Sequence, residues 1–135
     1  MSAGHSENPL AKKLNLRDGQ RVWFEDMPES VQDEIGEYAL DLIFVADPDE
    51  GADALHIFVR DLTGLEDRLA TFRRTMAKDG HVWVSWPEKA SETTRPIDEG
   101  DVRAAGLVAG LVDTKTCAVD ETWAGLKFVI PKDHR

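Results

Sequence analysis

The side chains in this sequence that offer chemistry sit at the ends of its apolar runs. Asp26, Asp47, Asp61, Trp86 and Lys89 each fall where a buried strand would stop and a loop begin. Carboxylates at such positions attract cations or accept from sugar hydroxyls, an indole stacks on a ring, and a lysine pairs with an anion. Together they read as a small-ligand set. Glu25, next to Asp26, adds a second charge that would favour a cationic group.

Catalytic constellations are harder to find. Cys117 lies between Thr116 and Ala118 with no histidine near it in sequence, and reads as an inert buried thiol. His56 is embedded among Leu55, Ile57 and Phe58 and reads as a hydrogen-bonded core histidine. His5 and His134 lie near the termini, and His81 opens an apolar run. The DPDEG string from Asp47 begins like a calcium loop. Its fifth and twelfth positions are Gly51 and Phe58, where oxygen ligands are required. There is no P-loop and no G-x-S-x-G. These residues predict no catalytic group, no metal site and no cofactor.

The charge is lopsided. The chain has 135 residues, with 26 acidic and 16 basic side chains, a net charge of −10. Residues 1–68 hold 16 acids and 6 bases, while residues 69–135 hold 10 of each. No Lys or Arg occurs between Val22 and Val59, a stretch with eleven acids from Glu25 to Asp53. Such a surface repels the phosphate backbone, so nucleic acid is not an expected partner. A basic protein is, if the acidic face is more than a solvated edge. No apolar run approaches the roughly 20 residues of a membrane span, so no membrane partner is expected. A single cysteine excludes an internal disulfide framework. The first residues lack the basic and apolar regions of a signal peptide, and the expected compartment is the cytoplasm.

The elements that would position these side chains follow from periodicity. Met1 to Asn8 reads as a mobile segment ahead of one α/β domain over residues 9–135. Asn8-Pro9 starts a short helix through Leu14. Arg21 to Phe24 is a strand. Pro28 opens a helix to about Ala39, with Val31, Ile35 and Tyr38 on one face. Leu42 to Ala46 reads as a strand buried on both faces, and Leu55 to Val59 as another. Thr63 and Glu66 form a capping-box pattern before a helix with the stripe Leu65, Leu69, Phe72 and Met76. His81 to Trp86 is a strand. Trp83 and Trp86, three apart on it, point to opposite faces. Asp98 caps a helix to about Leu111, helped by Asp101. Gly106 and Gly110 on that helix suggest close packing on the sheet. Thr114 to Asp120 and Leu126 to Ile130 form an antiparallel hairpin, because their link is too short for a crossover helix. Alternating strands and helices imply a mainly parallel sheet covered on both faces, a Rossmann-like three-layer domain.

The strand, helix, strand, helix, hairpin ending resembles the class I S-adenosylmethionine-dependent methyltransferase fold. The strings NPLAKKL at Asn8–Leu14, WVSWPEK at Trp83–Lys89 and LVDTKTCAVDETWAGLKFV at Leu111–Val129 resemble a family of small bacterial proteins known as domain of unknown function 3052. The likeness runs from about Asn8 to Pro131. It implies a methyltransferase-like domain shortened by about one βα unit, with strand order 2-1-3-4-6-5. It implies no activity. A methyltransferase of this class needs a glycine-rich turn after the first strand. Here that turn is Glu25-Asp26-Met27-Pro28-Glu29-Ser30, which contains no glycine.

Ligands of open parallel sheets bind beyond the carboxyl ends of the strands, where strand order reverses, here between strands one and three. Asp26, Asp47, Asp61, Trp86 and Lys89 would converge there. On the hairpin, Asp120 and Lys127 are spaced to pair across the turn, with Trp123 covering the sheet edge. The alternative is a homodimer contact through Asp120, Trp123 and Lys127. The function that follows is a non-catalytic interaction or regulatory domain. A crevice-based small-ligand module and a divergent methyltransferase are the alternatives.

Overall fold

The longest uninterrupted apolar stretches become the centre of a six-stranded sheet. The computed structural model describes residues 9–88 and 97–135. The expected mobile N-terminal segment and Lys89 lie outside those residues. Chain order is α1 (Leu10–Lys13), β1 (Arg21–Glu25), α2 (Glu29–Gly36), β2 (Ile43–Phe44), β3 (Ala54–Phe58) and α3 (Leu65–Thr75). Then come β4 (His81–Pro87), α4 (Glu99–Val108), β5 (Val112–Ala118), β6 (Trp123–Val129) and a closing 3₁₀ turn, Lys132–His134. The sheet order is β2-β1-β3-β4-β6-β5, as the resemblance implied. β2, β1, β3 and β4 run parallel, and β6 is antiparallel to both β4 and β5.

Two cores flank the sheet. Leu55, Ile57, Val82, Val84, Leu126 and Phe128 pack against Leu65, Leu69 and Phe72 of α3 and Val102 and Ala105 of α4. On the other face Val22, Ala54, Phe58, Trp83 and Trp123 meet Leu10 of α1, Leu14 at its C-cap, and Val31 and Ile35 of α2. Trp83 and Trp86 go to opposite faces, and both are buried. The Trp83 indole N–H donates to the Leu14 carbonyl at 2.9 Å, tying α1 to the sheet. On α4, a Cβ at Gly106 would stand 2.1 Å from the Phe128 ring, so only glycine lets the helix come this close. The Asp98–Asp101 capping box is formed in full.

Several expectations need correction. The Leu42–Ala46 run is not a doubly buried strand. Only Ile43 and Phe44 are strand, at the sheet edge, and both are exposed. The β2–β3 connection contains no helix that could cover them, and an apolar run alone does not reveal that. α2 stops at Gly36, and Ala39 turns the chain at φ 56°, so Tyr38 leaves the apolar face and is exposed. Thr63 does not cap α3. Its N–H donates to Asp61 Oδ1 at 2.8 Å, and Gly64 at φ 73° occupies the cap instead. The local Asx turn has outcompeted the capping box. Asp120 does not pair with Lys127. Asp120 Oδ1 accepts from the Thr122 and Trp123 N–H groups, both at 2.8 Å, and so closes the hairpin turn.

Candidate functional site

Strand order reverses between β1 and β3, with α2 on one face and α3 on the other. The first strand brings Glu25 to this crevice as its last residue. Asp26 follows at φ 56°, the left-handed region that aspartate tolerates better than most side chains. Met27 is buried and Pro28 brings no N–H to the turn.

One oxygen of the Glu25 carboxylate is already engaged from within the chain. Glu25 Oε1 accepts from Arg68 Nη2 at 2.5 Å and from the Trp23 indole N–H at 3.1 Å. α3 positions Arg68 by presenting its buried stripe to the sheet. The guanidinium then lies over the edge of the crevice, 5.3 Å from the Phe72 ring centroid. Arg68 holds the Glu25 carboxyl below the usual carboxylate range, opposed by burial and aided by the Trp23 hydrogen bond. In return, Glu25 raises the Arg68 guanidinium, with smaller contributions from the charges of Asp26 and Asp49. The Arg68 guanidinium is thus bonded to Glu25 and lies in the field of Asp26 and Asp49.

The neighbouring strand ends are also engaged. Arg60, just past β3, sits 5.0 Å over the Trp123 ring, which in turn meets the Phe58 ring edge-on at 5.0 Å. Below them His56 Nε2 and Ser85 Oγ are 2.7 Å apart, with the imidazole stacked on Phe58 at 4.5 Å. Burial lowers the His56 pKa to about 3, assisted by the charge of His81. The ring is neutral and sealed, a hydrogen-bonded core histidine. Burial likewise raises the Cys117 thiol, against the pull of Lys13 and Lys115. Cys117 is therefore a weak nucleophile near neutral pH.

The sequence-selected side chains are not assembled into one cluster. Asp26 faces the crevice and acts on Arg68 through its charge. Asp47 Oδ1 is used by the Asp49 N–H at 2.8 Å, and Asp61 by Thr63. Trp86 is 4% exposed within the α3–α4 core, which leaves no ring face for stacking. Trp123 is 5% exposed, and Asp120 is committed to the hairpin turn. Lys127 is partly buried beside Lys115 and Arg17. Arg68, Arg60 and Asp49 were not foreseen as site residues. The one available signal for Arg68 was its place four residues before Phe72 on the helix, where a cation can cover a ring.

Among the described residues, no three His, Cys, Asp or Glu side chains converge in a way that could hold a metal ion. Surface hollows among the described residues lie elsewhere. One, of about 270 Å³, is between the start of α3 and α4, lined by Leu62, Glu66 and Asp101 among others. A second, of about 340 Å³, is at the opposite end of the strands near Arg17, Asp53 and His81. The third, of about 220 Å³, lies between α2 and β2 and is lined by Phe24, Ile35, Leu40, Leu42 and Phe44. No helix among the described residues is long and apolar enough to cross a membrane.

This sheet order and two-faced helix arrangement define a methyltransferase-like Rossmann fold. A TehB-like S-adenosylmethionine-dependent methyltransferase from Corynebacterium glutamicum superposes with a TM-score of 0.55 at 13% identity, over 95% of this chain and 90% of that one. An S-adenosylmethionine-dependent methyltransferase from Aquifex aeolicus gives 0.57 at 13% identity, over 88% and 86%. A chain from the complex of the Haloferax volcanii Trm112 methyltransferase activator with a methyltransferase gives 0.58 at 14%, over 93% and 88%. These likenesses show the fold alone. The chain belongs to the family described as protein of unknown function DUF3052, whose model matches residues 11–132. No curated protein matches it in sequence.

The fold implies S-adenosylmethionine, and the β1 turn does not suit that cofactor. A sulfonium cofactor with an amino-acid tail needs bare backbone at the turn for close approach. Here Met27 packs inward, Pro28 has no N–H to offer, and Glu25 is paired with Arg68 and Trp23.

Proposed function

We propose that this protein is a non-catalytic interaction domain on a methyltransferase-like scaffold, acting in the cytoplasm on a basic protein partner. The observation that carries the reading is the Glu25–Arg68–Trp23 contact, which engages one oxygen of the carboxylate at the switch point in internal bonding. The acidic first half of the chain supports the choice of partner, since a field of that sign speeds encounter with a basic surface. It speaks equally against nucleic acid. Calorimetry and thermal unfolding with S-adenosylmethionine and S-adenosylhomocysteine at millimolar concentration test the reading. The expected result is no heat of binding and an unchanged melting temperature. Saturable binding of either compound overturns it.

A second reading has its own support. Asp26 is held at positive φ at the place where open α/β sheets take ligands, and local backbone strain of this kind concentrates at functional sites. On that reading the crevice binds a small cationic ligand beside Asp26, or retains a divergent methyltransferase activity. A homodimer through Asp120, Trp123 and Lys127 is the less favoured partner, because Trp123 has its ring buried against Phe58.

A further inference from the structure

The β2 edge of the sheet joins observations that the fold does not require. β2 is one of the two outermost strands, and its side chains are the reverse of what an edge usually shows: Ile43 is 53% exposed and Phe44 65%. Tyr38, just past the end of α2, is also exposed, at 43%. Beside them runs the apolar groove of about 220 Å³ between α2 and β2, with room for one side chain. Phe44 forms one wall of the groove and meets Phe24 edge-on at 5.5 Å.

The backbone of this edge is equally available. The Ile43 N–H donates to Gln20 O at 2.9 Å, and the Val45 N–H to Val22 O at 3.1 Å. Alternation along a ladder then turns the intervening Phe44 N–H and C=O outward. Among the described residues nothing pairs with that side.

Charge selects the occupant. Asp33 and Glu34 of α2, Glu37 just beyond it, Asp41, which lines the groove, and Asp47 and Asp49 of the loop after β2 are all exposed. Arg21 on β1, in register with Ile43, stands 3.9 Å from Glu50. A second copy added edge to edge would set these carboxylates against their own counterparts, as acidic edges elsewhere deter self-pairing. A segment carrying Lys or Arg meets the opposite sign.

We propose that the β2 edge is a docking site for an extended polypeptide segment of a partner protein, one that alternates apolar side chains with Lys or Arg. Its backbone adds a strand beside Phe44, one apolar side chain enters the groove, and its cations face the carboxylates. This rests on the interaction reading above and locates it.

The test uses the full chain labelled with ¹⁵N and a synthetic octapeptide alternating Lys or Arg with Val or Leu. The controls are its Glu/Asp counterpart and a peptide of identical composition with the charges grouped at one end. The expected result is saturable shifts centred on Leu42 to Val45, with slowed exchange of the Phe44 amide. Affinity should fall at least fivefold for both controls, and again for Phe44→Ser. Phe44 is exposed, so that variant keeps the fold; its spectrum away from β2 checks this. Equal binding of the grouped-charge peptide, or no effect of Phe44→Ser, overturns the proposal. So does a concentration-dependent dimer that Phe44→Ser abolishes, which would assign the edge to a second copy. Binding that maps to another face overturns this location and leaves the interaction reading standing. That reading fails separately, by cofactor binding in the crevice.

Discussion

Lys115 and Lys127 stand directly opposite one another across the β5–β6 ladder, an arrangement of like charges in a protein with a large excess of acid. Lys115 Nζ finds the Lys13 carbonyl at 3.0 Å, near the end of α1. Burial, followed by the charges of Lys115 and Arg17, lowers the Lys127 pKa. Cross-strand like charges cost roughly 0.2–1 kcal/mol. Lys127→Glu is therefore expected to stabilise the fold by about 0.5–1 kcal/mol in urea denaturation, an advantage that added salt should shrink. Loss of stability on this substitution would show that the lysine is held by contacts other than charge.

The Glu25–Arg68 pair sits at a half-open site, so its contribution is smaller than a sealed pair would give. Arg68→Ala should cost about 1 kcal/mol or less, and Glu25→Gln a similar amount. A double-mutant cycle is expected to show coupling between them. Because the folded Glu25 pKa lies below 4.5, its stabilisation is fully present above that value and is lost as pH falls through the folded value. Carboxyl ¹³C titration reads this directly, and in Arg68→Ala the Glu25 midpoint should move upward.

His56 and His81 give the protein an acid-sensitive core. Burial is the main cause of both shifts, from 6.5 to about 3; the His81 charge adds to that of His56, and Lys127 and Arg17 to that of His81. In the unfolded chain both imidazoles protonate near 6.5, while in the fold they stay neutral. Stability is therefore highest above about pH 6.5 and declines as pH falls toward 3. The slope can reach about 1.4 kcal/mol per pH unit for each histidine. Denaturant midpoints across that range should fall in the wild type, and the fall should be shallower in a His81→Gln variant.

Ser85→Ala removes the only described partner of His56 Nε2 and leaves a buried acceptor or donor unmet. The expected loss is about 1–3 kcal/mol. Ser85→Thr tests packing separately, because Gly125 is so close that a Cβ there would stand 3.0 Å from Ser85 Oγ.

Alanine at helical glycines should act with opposite signs at two positions. Gly36, at the end of α2, has no atom near its absent Cβ, and Gly36→Ala is expected to gain roughly 0.5–1 kcal/mol. At Gly106→Ala the new methyl meets the Phe128 ring, and the loss is expected at about 1–3 kcal/mol. Thermal unfolding of the two variants separates helix propensity from helix-to-sheet spacing.

The parts of this structure legible in the sequence are those encoded locally. The Asp98–Asp101 cap, the opposite faces of Trp83 and Trp86, the α3 stripe and the antiparallel hairpin each depend on residues a few positions apart. The sheet order came with the resemblance to methyltransferase folds. What escaped depends on distance. Arg68 meets Glu25 across 43 positions, and no local pattern marks that pairing. Leu42–Ala46 looks the same whether buried or exposed, because its fate is set by the absence of a helix between β2 and β3. Asp61 carried the competing turn that displaced Thr63 as a cap, two residues outside the pattern that pointed to Thr63.

The register of the sheet also grades its mechanical firmness. β4 and β6 are matched at seven positions, whereas β2 and β1 are matched at only two. Amide protons at Ile43 and Val45 should then exchange by fraying of one strand, at a small fraction of the global unfolding free energy, while those of Val82 to Val84 should wait for the whole domain to open. The chain thus keeps a firm central sheet and a loosely attached margin. Ordering of that margin is something a native-state hydrogen-exchange experiment can follow one amide at a time.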